Sequence, residues 1–218
     1  MQHNPSRLVR WTAVIVSGTY ALALYASGTH LQQGAKQGLA YLPTALSLAV
    51  VAFDLWLWKI PGVHRFVGRP RVDGTWFTIL RPHPDSHIPP GGNRGPIDAA
   101  VVIEQTYWSI SITLMTAESA SQSTSAAIHT NGESRKRRVL AYTYANTPKQ
   151  EHRDRSHPHV GAVRLEIVGR TPITLAGTYW TDRLTVGDMQ LRHLERGTDY
   201  ANLGAVLQAH PKSSDGPL

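Results

Sequence analysis

Apolar and polar residues alternate strictly through the middle of the chain. From residue 108 to 114 the even positions hold Trp108, Ile110, Ile112 and Leu114, and the odd positions between them hold serine or threonine. A period of two with aromatic and β-branched residues predicts a β-strand with two different faces. Serine then occupies every second position from 119 to 125. Small hydroxyls in a row suit a lined cavity, and an exposed serine-rich edge strand is the alternative.

The same alternation recurs through the C-terminal two thirds of the chain, without helical periodicity. It predicts eight strands, at 74–80, 99–105, 108–115, 119–130, 139–146, 160–168, 173–181 and 184–193. Eight short antiparallel strands can remove their exposed edges by closing into a barrel, and a barrel of that size holds one small ligand. We therefore predict an all-β, antiparallel, compact eight-stranded β-barrel, with a two-sheet sandwich as the competing architecture. A short helix at 200–210 and a disordered end are expected after it.

Two long apolar runs precede the strands. Residues 11–26 carry no charge, and the second run, 39–60, is interrupted only by Asp54 before it ends near Lys59. About 20 apolar residues span a bilayer, and basic residues flank the outer ends of both runs. The positive-inside rule then predicts a two-helix transmembrane hairpin with both ends in the cytoplasm. A cleaved signal peptide and two buried helices of a soluble domain are the alternatives.

An acidic residue inside a membrane span is costly and is a functional candidate by default. Asp54 is therefore predicted to act in the membrane or in oligomerisation, and a neutral, protonated side chain near the interface is the alternative. The predicted organisation is a transmembrane hairpin at 1–62, a basic linker at 63–72, the barrel at 73–195 and a tail at 196–218.

The positive charge of the chain is confined to its N-terminal third. The formal net charge is +7, of which residues 1–72 contribute +6. This distribution argues against a large surface for duplex DNA or RNA and suits the flanks of a membrane segment. The chain contains no cysteine, which excludes a disulfide framework and thiolate metal sites.

No catalytic motif stands out in the sequence. There is no G-x-S-x-G, H-E-x-x-H or P-loop, so a receptor is favoured over an enzyme and no cofactor is expected. His152, His157 and His159 lie near Asp154, but solvated histidines in a polar loop are favoured over a metal site. The basic run at 135–138 is most simply a solvated hairpin tip. The functional alternative is contact with lipid head groups or with an anionic ligand.

Six short motifs in fixed order carry a family resemblance. They are D-G-T-W (73–76), E-Q-T-Y-W-S-I-S-I (104–112), S-A-S-Q-S (119–123), L-A-Y-T-Y-A-N (140–146), H-V-G (159–161) and G-T-Y-W-T-D-R-L-T-V-G (177–187). Together with the helical hairpin before them, they resemble the SMODS-associating two-transmembrane, β-strand-rich effectors of CBASS anti-phage defence. The resemblance covers nearly the whole chain.

The resemblance implies a barrel that binds a cyclic dinucleotide made by a CD-NTase-type synthase. Binding would drive homo-oligomerisation of the hairpins and disruption of the bacterial inner membrane, with abortive death of the cell. The barrel would lie in the cytoplasm, and membrane lipid would be a further partner.

The chemistry of such a ligand selects candidate site residues. Phosphates favour charge-assisted donors, for which Arg183 is the candidate. Bases stack on aromatic rings, and hydroxyls can bind the ligand by hydrogen bonds. The aromatic candidates are Trp76, Tyr107, Trp108, Tyr142, Tyr144 and Tyr179, and the hydroxyl candidates are Thr113, Ser121, Ser123 and Thr185. Ordinary barrel packing is the alternative for each aromatic, and parity prevents Tyr107 and Trp108 from both facing inward.

Two other classes of function remain open at this point. One is a membrane-anchored, calycin-like barrel that binds an apolar or haem-like ligand. The other is a membrane-tethered scaffold with a filled barrel and no ligand. The proline-rich loop at 81–96 can cover one mouth of the barrel, but its sequence does not decide this.

Overall fold

The computed structural model describes residues 5–26, 33–88, 90–130, 137–154 and 156–211. Within these ranges, side chains are described at 11–23, at 25–26 and from 41 onward. The chain forms two compact units. One comprises the chain up to Arg69 together with Thr106–Ser109, and the other comprises Pro70–Gln105 and the chain from Ile110 onward. The connector at 27–32, residues 131–136 of the predicted basic loop and the end of the tail from 212 lie outside the described residues.

The first unit is built around two long helices. Helix α1 spans Pro5–Ala26 and helix α2 spans Gln33–Leu55, followed by a 3₁₀ turn at Leu57–Lys59 and helix α3 at Pro61–Val67. Small residues bring α1 and α2 together, since the hydroxyls of Ser17 and Ser47 are hydrogen-bonded to each other. Ser17 Oγ also donates to the carbonyl of Pro43 at 2.8 Å.

The two predicted apolar runs are helices, but their assignment as membrane spans needs correction. Within the described residues, neither helix combines the length with the sustained apolar character required to cross a bilayer. Helix α2 begins at Gln33, within the polar connector, and contains Pro43, Ser47 and Asp54. The observed feature is therefore a helical hairpin, and the prediction of a transmembrane one is not confirmed.

The second unit is a closed antiparallel barrel. Its strands are β1 (Gly74–Pro82), β2 (Ile97–Gln105), β3 (Ile110–Thr116), β4 (Ser119–Thr130), β5 (Arg137–Pro148), β6 (His159–Val168), β7 (Thr174–Thr181) and β8 (Val186–Glu195). Each strand pairs with the next along the chain, and β8 closes the barrel by pairing with β1. Closure leaves no exposed sheet edge. The predicted barrel is confirmed, with strand ends shifted by about two residues at most.

Inward-facing side chains fill one end of the barrel. Inward-facing residues such as Trp76, Ile103, Leu165 and Leu191 are fully buried and form one continuous core. Trp76 Nε1 donates to the carbonyl of Val72 at 3.0 Å, so the only polar atom of this side chain is satisfied within the core. The other end of the barrel, where β1, β3, β5 and β7 terminate, is left partly open.

A short helix, α4 at Leu203–Ala209, follows the barrel. The side chain of Asn202 caps it by accepting a hydrogen bond from the amide of Ala205 at 2.9 Å, as N-cap asparagines do. Val206 is fully buried against the outward-facing Ala100 of β2 and Met115 of β3. The helix predicted at 200–210 is thus present over a shorter range.

Candidate ligand-binding site in the barrel

The open end of the barrel contains a cavity of about 440 Å³. This is within the range of about 300–1,000 Å³ typical of small-molecule sites. Its wall is formed by the ends of β1, β3, β5 and β7 and by the beginnings of the strands that follow them. The proline-rich loop contributes Ile88 and Asn93 to the wall, and helix α4 contributes Leu203 and Leu207.

A cationic corner stands on one side of this cavity. The turn between β7 and β8 carries Arg183, whose guanidinium donates to Ser156 Oγ at 3.4 Å and to His159 Nε2 at 3.5 Å. His159 Nδ1 lies 3.2 Å from the carbonyl of His157 and donates to it. His159 therefore uses one nitrogen as a donor and the other as an acceptor, which is the pattern of a neutral imidazole. Arg183 Nε is buried without a partner among the described residues.

Burial sets the protonation of the groups around Arg183. It lowers the pKa of His159, and the Arg183 cation lowers it further. Burial also raises the pKa of Tyr144 to about 12, with the Arg183 cation acting in the opposite direction. The pKa values of Tyr142 and Tyr179 are raised as well, again mainly by burial. Near neutral pH the corner thus carries the charge of Arg183, with the Asp182 carboxylate nearby, beside a neutral imidazole and three protonated phenols.

Three tyrosines project from β5 and β7 into the cavity wall. The rings of Tyr142 and Tyr144 are 6.2 Å apart, and the ring of Tyr144 is 6.5 Å from that of His159. Tyr144 pairs with Gly161 of β6, where a Cβ atom would lie only 2.5 Å from the tyrosine ring. The glycine therefore allows the Tyr144 ring to lie close against β6.

Polar side chains form a second cluster in the cavity wall where β4 and β5 pair. Asn146 pairs with Ser121, and its Nδ2 donates to Ser121 Oγ at 2.8 Å and to Ser119 Oγ at 2.9 Å. Asn146 Oδ1 is buried without a partner among the described residues. The row of hydroxyls on β4 thus lines the cavity at its first two members and holds a neighbouring amide.

The structure brings six of the predicted ligand-binding residues together in this wall. They are Ser121, Tyr142, Tyr144, Tyr179, Arg183 and Thr185. Their roles in binding remain predictions, but they share one concave surface that contains a cation, aromatic rings and hydroxyls.

Three further predicted residues of the barrel lie outside the cavity. Trp76 is in the filled end, where its ring packs edge-on against His193 at 4.8 Å. Thr113 has the parity of Met115, which faces outward under α4, whereas Ile112 and Leu114 line the cavity. Ser123 Oγ accepts a hydrogen bond from the amide of Ile112 at 2.9 Å, close to a break in the regular register of β4.

Tyr107 and Trp108 belong to the helical unit, because β3 begins at Ile110 rather than at Trp108. The ring of Tyr107 packs edge-on against Phe53 at 4.9 Å, with Trp58 at 6.1 Å. Asp54 is fully buried there, and its Oδ1 accepts a hydrogen bond from the amide of Trp108 at 3.1 Å. Asp54 thus organises a turn, and its predicted membrane role remains a prediction.

Sequence reasoning missed several residues of the wall. Asn146 has the parity of Tyr142 and Tyr144, so alternation along β5 contained the signal that it faces the same cavity. The sequence groups His159 with the other histidines of its loop, whereas the structure places it beside Arg183. The residues of the proline-rich loop and of α4 carried no comparable signal, since only tertiary packing brings them to the mouth.

A closed eight-stranded barrel with a cation and aromatic rings around a ligand-sized cavity has the architecture of a small-ligand-binding protein. Residues 69–193 match the family model described as Cap15, cyclic dinucleotide receptor domain. The chain belongs to this family, and the predicted relation to CBASS effectors is confirmed. It is also 28% identical over 189 residues to CD-NTase-associated protein 15 of Staphylococcus schleiferi, a match that covers 87% of this chain and 95% of the relative.

Proposed function

We propose that this protein is a CBASS effector whose barrel binds a cyclic dinucleotide produced by a CD-NTase-type synthase. We further propose that binding drives homo-oligomerisation and disruption of the bacterial inner membrane, with the barrel in the cytoplasm. The observation that carries the proposal is the placement of Arg183 in a ligand-sized cavity of a barrel that belongs to this receptor family. The protein acts as a receptor rather than an enzyme, without a cofactor and without binding DNA or RNA.

The chemistry of the cavity supports a ligand of this class. A cyclic dinucleotide presents two phosphates, which a guanidinium binds by charge-assisted hydrogen bonds. The Nε donor of Arg183, which has no hydrogen-bond partner among the described residues, is suited to such an oxygen. Base planes stack on aromatic rings, and Tyr144 and Tyr179 provide rings in the same wall.

The surface of the helical unit supports action at a membrane. Large apolar side chains of α1 and α2 are solvent-exposed, among them Trp11, Ile15, Leu22, Leu46 and Leu48. Extended exposed apolar surface marks contact with lipid or with another protein chain. We propose that this surface contacts lipid and, once the ligand has bound, other copies of the chain.

The ligand part is tested by calorimetry on the full-length protein in detergent with a panel of cyclic dinucleotides. We expect saturable binding of at least one, weakened about tenfold or more in Arg183→Ala because a charged hydrogen-bonding group is lost. Arg164→Ala, at an exposed position on β6, is the matched control and should bind normally. If a folded protein bound none of the panel, the receptor proposal would fail, and binding of an apolar or haem-like compound instead would favour the calycin-like alternative.

The membrane part is tested separately with dye-loaded vesicles of bacterial inner-membrane lipid. We expect the active cyclic dinucleotide to trigger dye release and an increase in particle mass, and Arg183→Ala to show neither. Binding without release and without a change of mass would contradict the proposed membrane step while leaving the receptor intact.

A further inference from the structure

The amide of Asn146 is held in one orientation inside the cavity wall. Only 7% of the residue is exposed, and Nδ2 donates its two hydrogens to Ser119 Oγ and Ser121 Oγ at 2.9 and 2.8 Å. Both donors of the amide are therefore in use. What remains for a ligand is the Oδ1 acceptor, which has no partner among the described residues.

Neighbouring groups on the same strand complete this arrangement. Tyr142, Tyr144 and Asn146 occupy alternate positions of β5 and so share its inner face. The Tyr142 hydroxyl is also buried without a partner in the described part of the chain. A buried polar group without a partner is costly, so two such groups on one cavity wall indicate that a ligand supplies the missing hydrogen bonds.

We propose that Asn146 determines which bases the receptor accepts, because its Oδ1 accepts a hydrogen bond from an exocyclic amino group. Adenine, cytosine and guanine carry such a group, and hypoxanthine and uracil do not. The inference rests on the proposed function and specifies the base chemistry of the same site. Ser119 and Ser121 act as positioning residues, since they fix which end of the amide faces the ligand.

The discrimination has a simple physical origin. When a carbonyl replaces the amino group of a base, two acceptors face each other and Oδ1 stays unsatisfied. The ring N–H of uracil is flanked by two carbonyl oxygens, which would lie beside Oδ1 and repel it. Sites built around a hydrogen bond reject analogues that lack the partner much more strongly than sites that rely on apolar fit.

The test compares bases that carry an exocyclic amino group with counterparts that lack it, on the full-length protein. The amino probes are cyclic di-AMP, cyclic di-GMP, cyclic AMP–GMP and cyclic di-CMP. Cyclic di-IMP has a carbonyl in place of the adenine amino group and simply lacks the guanine amino group, and cyclic di-UMP has a carbonyl in place of the cytosine amino group. Among the amino probes, we expect the cyclic dinucleotide that binds most tightly to have an affinity about tenfold or more higher than that of its counterpart without the amino group.

Variants then connect the discrimination to the amide. Asn146→Ala should reduce the ratio of the two affinities to near one. Ser121→Ala, which removes one of the two groups that hold the amide, should reduce the ratio more than it weakens binding of the counterpart without the amino group. A general loss of structure would lower both affinities alike. Ser125→Ala, at an exposed position on β4, is the matched control and should keep the ratio.

The outcomes separate this inference from the function on which it rests. Equal affinities for bases with and without the amino group, with binding still lost in Arg183→Ala, would overturn the role of Asn146 and leave the receptor standing. An unchanged ratio in Asn146→Ala would overturn it as well. If no ring bound at all, the proposed function would fail, and this inference would fail with it.

Discussion

His159 illustrates how a single residue connects ligand binding to pH. Its ring is half-buried and lies beside Arg183, and both circumstances lower its pKa. The folded protein therefore binds this proton less readily than the unfolded chain. As the pH falls through the ordinary histidine value of about 6.5, the unfolded chain takes up the proton first and the free energy of unfolding decreases.

A bound phosphate should reverse this balance, because its charge offsets that of Arg183 and favours the protonated imidazole. We expect proton uptake on binding and an affinity that rises as the pH falls from 8 to 6, by up to about tenfold for each unit by which the pKa of His159 rises. Calorimetry in two buffers of different ionisation enthalpy measures the uptake. His159→Gln should abolish it, and His129→Gln, at an exposed position on β4, should not. Uptake that persists in His159→Gln would show that a different group takes up the proton.

At the scale of elements, the contact between β5 and β6 depends on a glycine, which has no side chain. Tyr144 lies over Gly161, and a Cβ atom there would come within 2.6 Å of both the tyrosine ring and the carbonyl oxygen of Trp180. The tyrosine ring and the backbone of β7 therefore leave room for a glycine only. The position of an aromatic ring in the cavity is thus set by a residue of the neighbouring strand.

Gly161→Ala should therefore displace Tyr144 and strain the barrel. We expect the free energy of unfolding to fall by about 1–3 kcal/mol, as in other overpacked sites, and the cyclic dinucleotide to bind about tenfold more weakly. Chemical denaturation and calorimetry measure the two effects. Gly18→Ala is the control, since nothing lies within 4 Å of the added methyl group in α1 and alanine favours helix. A Gly161→Ala variant of normal stability and affinity would show that Tyr144 has room to move.

At the scale of the whole molecule, the chain enters the helical unit twice. It forms the helices up to Arg69 and returns for the turn at Thr106–Ser109, between β2 and β3. Within that unit the amides of Tyr107 and Trp108 donate to the carbonyl and the carboxylate of Asp54 at 2.9 and 3.1 Å. Of the two strands that flank this turn, β3 also contributes Ile112 and Leu114 to the cavity wall.

Asp54→Ala should loosen this turn without changing the cavity. We expect faster hydrogen exchange at the amide of Trp108, a free energy of unfolding lower by about 1–3 kcal/mol and unchanged affinity for the ligand. Asp54→Asn retains an acceptor oxygen and should restore much of the protection. If ligand-triggered dye release were lost while affinity stayed normal, the turn would have a part in the membrane step. Unchanged exchange at Trp108 would contradict the structural role of Asp54.

The sequence predicted some features of the site and missed others for identifiable reasons. Alternation placed Tyr142 and Tyr144 on one face of their strand and Ser121 in a row of hydroxyls, because parity is a local property of an extended chain. It did not predict which face of each strand lines the cavity. It misplaced Trp76, since parity does not say how far along a barrel a residue lies. It misplaced Trp108 because the strand begins two residues later, and strand ends are decided by pairing with neighbours.

The sequence by itself determined that this chain would form two helices and then eight strands, since periodicity follows from backbone geometry and from local hydrophobic pattern. The order of its motifs was sufficient to indicate the family. Only the tertiary structure decided which end of the barrel stays open, which residues from distant loops form its mouth, and that Arg183, His159 and Asn146 face one cavity. These are contacts between residues far apart in sequence, and they arise only when closure of the sheet sets the register of all eight strands at once.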